Sequence, residues 1–186
     1  MKRALDIVGG VAGLVLLSPL LLGLALAVRL ESPGPALHWS RRVGRGNAIF
    51  RMPKFRTMRT GAPDVATHLL ADPDRWVTPL GGFLRRTSLD EIPQLWSVLK
   101  GDMSLVGPRP ALFNQDDLVA LRTNAGVDAL RPGLTGWAQI NGRDELPIPE
   151  KVKLDAEYLA RMSLGFDVRI LAGTAWAAVT GRGVSH

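Results

Sequence analysis

The sequence predicts an α+β fold, mainly helical, in which an N-terminal apolar helix precedes a single domain. Three observations lead there. Ile7 to Val28 is an uncharged apolar run of 22 residues. Residues 36–52 read as two short strands around Gly44-Arg45-Gly46-Asn47, a hairpin-type turn. Apolar side chains at helical spacing then recur through the second half of the chain. Hydrophobic residues make up 46% of the 186 and charged residues 22%, so a buried core is expected and disorder is not.

As one helix, the first element would be about 33 Å long, enough to cross a hydrocarbon core. A cleaved leader would use Lys2-Arg3 as its basic region and Ala25-Leu26-Ala27 as its cleavage site. Asp6 and the length of the apolar run argue against that. Lys2 and Arg3 precede the run, whereas Arg29 and a strongly basic stretch follow it, so the positive-inside rule draws both ends to the cytoplasmic side. A crossing helix satisfies one of those pulls; a helix that enters, turns and leaves on the same face satisfies both. Ser18-Pro19 lies near the middle. Proline removes a backbone donor and clashes with the preceding turn, and the serine hydroxyl can bond the carbonyl thus freed. A kinked spanning helix and a re-entrant one both fit the residues. Gly9-x-x-x-Gly13 is a weak helix-packing motif.

Pro33-Gly34-Pro35 ends this segment, and the hairpin follows. Pro53-Lys54-Phe55-Arg56 reads as a basic loop, 64–71 as a short helix and 73–82 as a loop punctuated by Pro79 and Gly81-Gly82. In 88–99, Ile92, Leu95, Trp96 and Leu99 fall on one face of an amphipathic helix. Residues 101–110 form a structured loop, 112–123 a helix, and 131–143 a second turn-rich stretch. Helices at 150–163 and 166–179 complete the domain, giving a division into 1–30 and 31–186.

Composition narrows the chemistry. The chain has no cysteine, which excludes disulfide scaffolds, thiol catalysis, zinc fingers and iron–sulfur clusters. His38, His68 and His186 are too scattered for a histidine metal site, so any metal should be a hard ion held by carboxylates. Net charge is +6, yet residues 29–60 alone carry eight basic side chains and one acid. A local patch of that kind suits nucleic acid, an anionic membrane or a phosphorylated small molecule. Nucleic acid would leave the apolar run unexplained.

Asp90-Glu91 is the carboxylate pair of interest. Ser88-x-x-Glu91 resembles a capping box, but it would put Pro93 past the first turn. The better register makes Asp90 the N-cap, Glu91 the first helical residue and Pro93 the third. Both carboxylates then sit at a positive helix end with Arg85 and Arg86 just upstream. Acids in a first turn are common, and the bland reading is a cap with solvated arginines. The chain contains no Walker loop, nucleophile elbow or dinucleotide fingerprint.

KFRTM (54–58), RRTSLDEIPQLWSVLKGDMSLVGPRP (85–110) and RPGLTGWAQINGR (131–143) together resemble the bacterial sugar transferase family, the monotopic phosphoglycosyl transferases acting on polyprenol phosphate. The resemblance runs from the N-terminus to about residue 170 and matches the family's minimal catalytic form. It implies a re-entrant helix broken at Ser18-Pro19, amphipathic helices at the membrane surface, and a bacterial cytoplasmic (inner) membrane location with the domain facing the cytoplasm. It further implies transfer of a sugar-1-phosphate from a UDP-sugar to undecaprenyl phosphate with release of UMP, initiating capsule, exopolysaccharide, O-antigen or glycoprotein glycan assembly. Asp90 would be the nucleophile and a ligand of Mg²⁺ (or Mn²⁺), with Glu91 supporting the metal or proton handling. Physical logic adds cations to offset the diphosphate: Lys54, Arg56, Arg85 and Arg86, with Arg109, Arg131 and Arg143 gripping nucleotide or lipid phosphate. Partners are then the UDP-sugar, undecaprenyl phosphate and the lipid bilayer, with no nucleic acid; a homodimer is left open.

Overall fold

The computed structural model describes residues 1–62, 72–142 and 146–180. The first helix, α1 (Lys2–Glu31), runs for 30 residues straight through Pro19. The chain does not leave the helix at Ser18-Pro19, and the reason is local. Proline at position 19 cannot donate to the Val15 carbonyl four residues back, and the Ser18 hydroxyl donates to that same carbonyl at 2.8 Å.

α1 packs on the domain towards both of its ends, through residues 2–13 and 21–28. Gly9, Gly10 and Gly13 leave room for Leu105, Leu99 and Leu95; a Cβ on these glycines would stand 2.6, 2.7 and 2.9 Å from those side chains. The expected glycine motif is therefore a seat for the chain's own leucines. Near the start, Lys2 meets Asp167 at 2.7 Å, and Arg3 donates to the carbonyls of Val98 and Leu99, both at 2.6 Å. Asp6 is buried and accepts from the Ser104 hydroxyl and the Leu105 amide. At the far end, Val28 joins Phe55 and Leu84 in a core cluster. The opposite face, with Val8, Val15, Leu16, Leu22, Leu26 and Leu30, is exposed.

The hairpin forms as expected: β1 (Leu37–Val43) pairs antiparallel with β2 (Ile49–Phe55), joined by a 3-10 turn at Arg45–Asn47. Most of the expected basic loop belongs to β2, where Pro53 faces Trp39; a two-stranded ribbon has free edges that tolerate a proline without a donor. The expected helix at 64–71 lies outside the described residues. The loop expected at 73–82 is instead helical: α2 (Pro73–Trp76) is followed by α3 (Pro79–Thr87), which opens on a Thr78 cap bonded to the Gly81 amide with proline in the first turn.

The expected single helix over 88–99 is two elements. A 3-10 helix (Leu89–Gln94) carries the carboxylates and Pro93, and α4 (Leu95–Lys100) carries the apolar stripe against α1. Asp90 is not the cap: Ser88, in the left-handed region at φ 56°, precedes the element and turns the chain out of α3. Pro93 sits inside this 3-10 helix, where it removes the donor that would reach the Asp90 carbonyl.

β3 (Ser104–Val106) lies inside the first structured loop and pairs in parallel with β4 (Gly133–Thr135) from the second. Their crossing is close enough that a Cβ on Gly133 would fall 2.1 Å from the Gly107 amide nitrogen, which explains the glycines in both motifs. The chain continues through α5 (Asp116–Asn124), the short α6 (Trp137–Ile140), α7 (Ile148–Arg161) and α8 (Leu164–Thr180). Val106, Tyr158, Phe166 and Ile170 make the core beneath them.

Candidate active site

Asp90 is only 7% exposed, held on the 3-10 helix against β2. Burial pushes its carboxyl up to about 6, and the like charge of Glu91 adds to that rise; Lys54, Arg85 and Arg109 act in the opposite direction. Lys54, half-buried on β2, is drawn down to about 8 by burial first and then by Arg42. Arg85, from α3, is also lowered by burial, with Asp90 opposing, and its Nε donates to the buried Thr57 hydroxyl at 2.9 Å. Glu91 is held by Arg109 through both oxygens, at 2.8 and 3.3 Å. A bidentate pair of this kind fixes direction as well as charge.

The structure thus brings together Lys54 from β2, Arg85, Asp90 and Glu91 from the stretch 85–91, and Arg109 from the loop after β3. It gives Arg56 another task. That guanidinium is buried and donates to the carbonyls of Val28, Ser32 and Pro33, closing the C-terminal end of α1. Arg86 and Arg131 are exposed, with Arg86 lying near Gly82 and the Arg131 carbonyl packed towards Gly107. Arg143 lies outside the described residues. Trp137 is a packing residue, 5.0 Å from the Phe166 ring with its Nε1 bonded to Glu157.

Arg42 escaped the sequence reading as a site residue. It was visible only as one charge in the basic patch, while the structure sets it in the field of Lys54 and bonds it to Ser40 and the Pro110 carbonyl. Among the described residues, no group of three or more metal-ligating side chains gathers. The donor set here is two neighbouring carboxylates, which suits a hard ion that completes its shell with substrate oxygens and water.

A buried carboxylate among cations, beside a helix with an uncovered apolar face, suits a membrane-associated protein that handles phosphate groups. The chain belongs to the bacterial sugar transferase family, whose pattern it matches over residues 1–181. It is 44% identical over 189 residues to a UDP-glucose:undecaprenyl-phosphate glucose-1-phosphate transferase of Caulobacter vibrioides, covering 96% of this chain and 70% of that protein. A protein of the same name from Escherichia coli is 42% identical over 178 residues, covering 92% of this chain and 38% of its own length. A UDP-N-acetylgalactosamine-undecaprenyl-phosphate N-acetylgalactosaminephosphotransferase of Aeromonas hydrophila is 38% identical, over 98% of this chain and 44% of that protein. The chain therefore spans less than half the length of the latter two relatives.

Proposed function

We propose that this protein transfers a sugar-1-phosphate from a UDP-sugar to undecaprenyl phosphate and releases UMP. The observation that carries the reading is Asp90: a buried carboxylate, raised towards neutrality, facing Lys54, Arg85 and Arg109. An anionic nucleophile and a diphosphate repel each other, and those cations offset the repulsion. An Asp90 oxygen attacks the β-phosphorus, forming an acyl-phosphate bond as the bond to the bridging oxygen of UMP breaks. A phosphate oxygen of the polyprenol acceptor then attacks the same phosphorus. The acyl-phosphate bond breaks, Asp90 is regenerated, and the product is a polyprenyl diphosphate sugar. Covalent catalysis divides one displacement into two.

The carboxylates of Asp90 and Glu91 would hold Mg²⁺ or Mn²⁺ together with the donor's phosphates. Such an ion supplies neutralisation of phosphate charge when bound. Glu91, bonded to Arg109 through both oxygens, orients that arginine towards the donor.

The same reading takes α1 as re-entrant, turning at Ser18-Pro19 by a bend within a continuous helix, with both ends on the cytoplasmic face of the bacterial inner membrane and the catalytic domain beside them. Support comes from the contacts at the two ends: Lys2 binds Asp167, and Arg56 binds the carbonyls after Val28. A spanning helix would have to tear one end from the domain. The product suits the first membrane-committed step of surface glycan assembly.

The test is UMP release from a panel of UDP-sugars by the detergent-solubilised chain, with undecaprenyl phosphate and Mg²⁺ and with Asp90→Asn as control. Release that the substitution abolishes, with a phospho-sugar adduct trapped on the wild type when acceptor is omitted, supports the reading. Turnover retained in Asp90→Asn refutes the nucleophile.

A further inference from the structure

The loop Pro108-Arg109-Pro110 is fastened in an unusual way. Its two prolines have no amide hydrogen, so the loop's carbonyls are its main backbone handles. All three are taken, each by a different element. The Pro108 carbonyl accepts from the Gly133 amide at 2.8 Å, the Arg109 carbonyl from Arg122 at 2.8 Å, and the Pro110 carbonyl from Arg42 at 3.1 Å. Between two such anchors the Arg109 side chain has a fixed origin, from which it reaches Glu91.

Arg122 is the informative member. It leaves α5 with its Nε and Nη2 both on one oxygen of Asp155, at 2.9 and 2.7 Å, and only Nη1 goes to the loop. Asp155, on α7, is 1% exposed, and the Arg122 side chain is 12% exposed. Burying such a pair carries a desolvation cost that its attraction need not repay, so stability alone is a poor account of it. What the pair does supply is a donor rigidly aimed at one carbonyl. Asp155 holds the guanidinium plane, and the plane holds the backbone of Arg109.

We propose that Arg122 and Asp155 are a positioning pair for Arg109, setting its guanidinium where it meets Glu91 and the diphosphate of the donor. The inference rests on the enzymatic reading above for the identity of that donor. Neither residue touches the reacting atoms. Their effect passes through Arg109 alone, and that makes it separable from a general effect on folding.

The experiment uses the full chain and the paired replacement Arg122→Met with Asp155→Leu, which removes the clamp without stranding a buried charge. Donor KM and kcat, the affinity for UDP and the thermal midpoint are measured together, in the wild-type and Arg109→Gln backgrounds. The expected result is a donor KM and a UDP Kd raised about tenfold, the size of one displaced charged hydrogen bond. The thermal midpoint stays near the wild-type value. In the Arg109→Gln background the same replacement changes KM and Kd less than about twofold, because coupled residues are not additive. Unchanged KM and Kd in a folded paired variant overturn the proposal, as does a full effect in the Arg109→Gln background. A paired variant that does not fold also overturns it, by showing that the pair serves the fold itself. Wild-type protein that binds UDP without releasing UMP refutes the enzymatic reading and leaves the Kd comparison to decide the pair; failure to bind UDP sinks both.

Discussion

Asp90 holds its place at a cost to the fold. Its carboxyl ionises near 6 in the folded protein against 3.8 ordinarily, so the protonated form is the one the fold favours. The contribution to stability is fully present below the unfolded value and is lost as pH rises through about 6. Asp90→Asn imitates the protonated form, and we expect it to raise stability at pH 8 by about 1–3 kcal/mol while abolishing turnover, read by thermal unfolding beside the UMP assay. A variant less stable than wild type would contradict that account of the site. Lys54 sets the other limb of the pH dependence. Asp90 must be ionised to attack and Lys54 charged to help receive the diphosphate, so kcat/KM should rise through about pH 6 and fall above about pH 8. In Lys54→Met the alkaline limb should move or vanish. At this scale the sequence disclosed which carboxylate to examine but not which cations surround it. Arg56 reads as well as Lys54 in the string KFRTM, and only the fold turns one to the carboxylate and the other to the end of α1.

The elements carry the next set of consequences. α1 is docked through small residues, so Gly10→Val would drive a Cβ into Leu99, to within 2.7 Å on the unrelaxed backbone. We expect that substitution to cost about 1–3 kcal/mol, measured by thermal unfolding or by the rate of proteolysis at the N-terminus. The same change at Gly23, which has nothing within 4 Å, should leave stability within about 0.5 kcal/mol. The 3-10 segment shows why element boundaries were harder to read than element existence. The apolar spacing in 88–99 is helical throughout, and Pro93 alone marks where the winding changes. Left-handed Ser88, a strained position for a residue with a Cβ, has no sequence signature of its own; it ends α3 with its amide on the Arg85 carbonyl and opens the carboxylate segment. Conversely, the helicity of 79–87 was masked by Gly81-Gly82, although Thr78-Pro79 is a legible start signal.

For the whole molecule, the decisive feature is that both ends of one long apolar helix are tied to one domain. Cysteines placed before Lys2 and after Arg29 should be labelled by an impermeant reagent from the same side of sealed vesicles. Labelling from opposite sides would mean that α1 crosses and that the Lys2–Asp167 pair is broken in the membrane. Because the described residues of the site offer carboxylates as metal ligands, turnover should stop in EDTA and return with Mg²⁺ or Mn²⁺; full activity in the chelator would remove the ion from the proposal. The sequence by itself determined the apolar helix and the hairpin, which depend on periodicity and turn residues, while the class of chemistry and the nucleophile candidate came through the family resemblance that its three motifs carry. Tertiary structure alone decided which arginines face Asp90 and that Arg122 and Asp155 fasten the loop of Arg109. Those outcomes depend on distances between segments far apart in the chain, where burial sets the energy of each charge, and no local pattern encodes them.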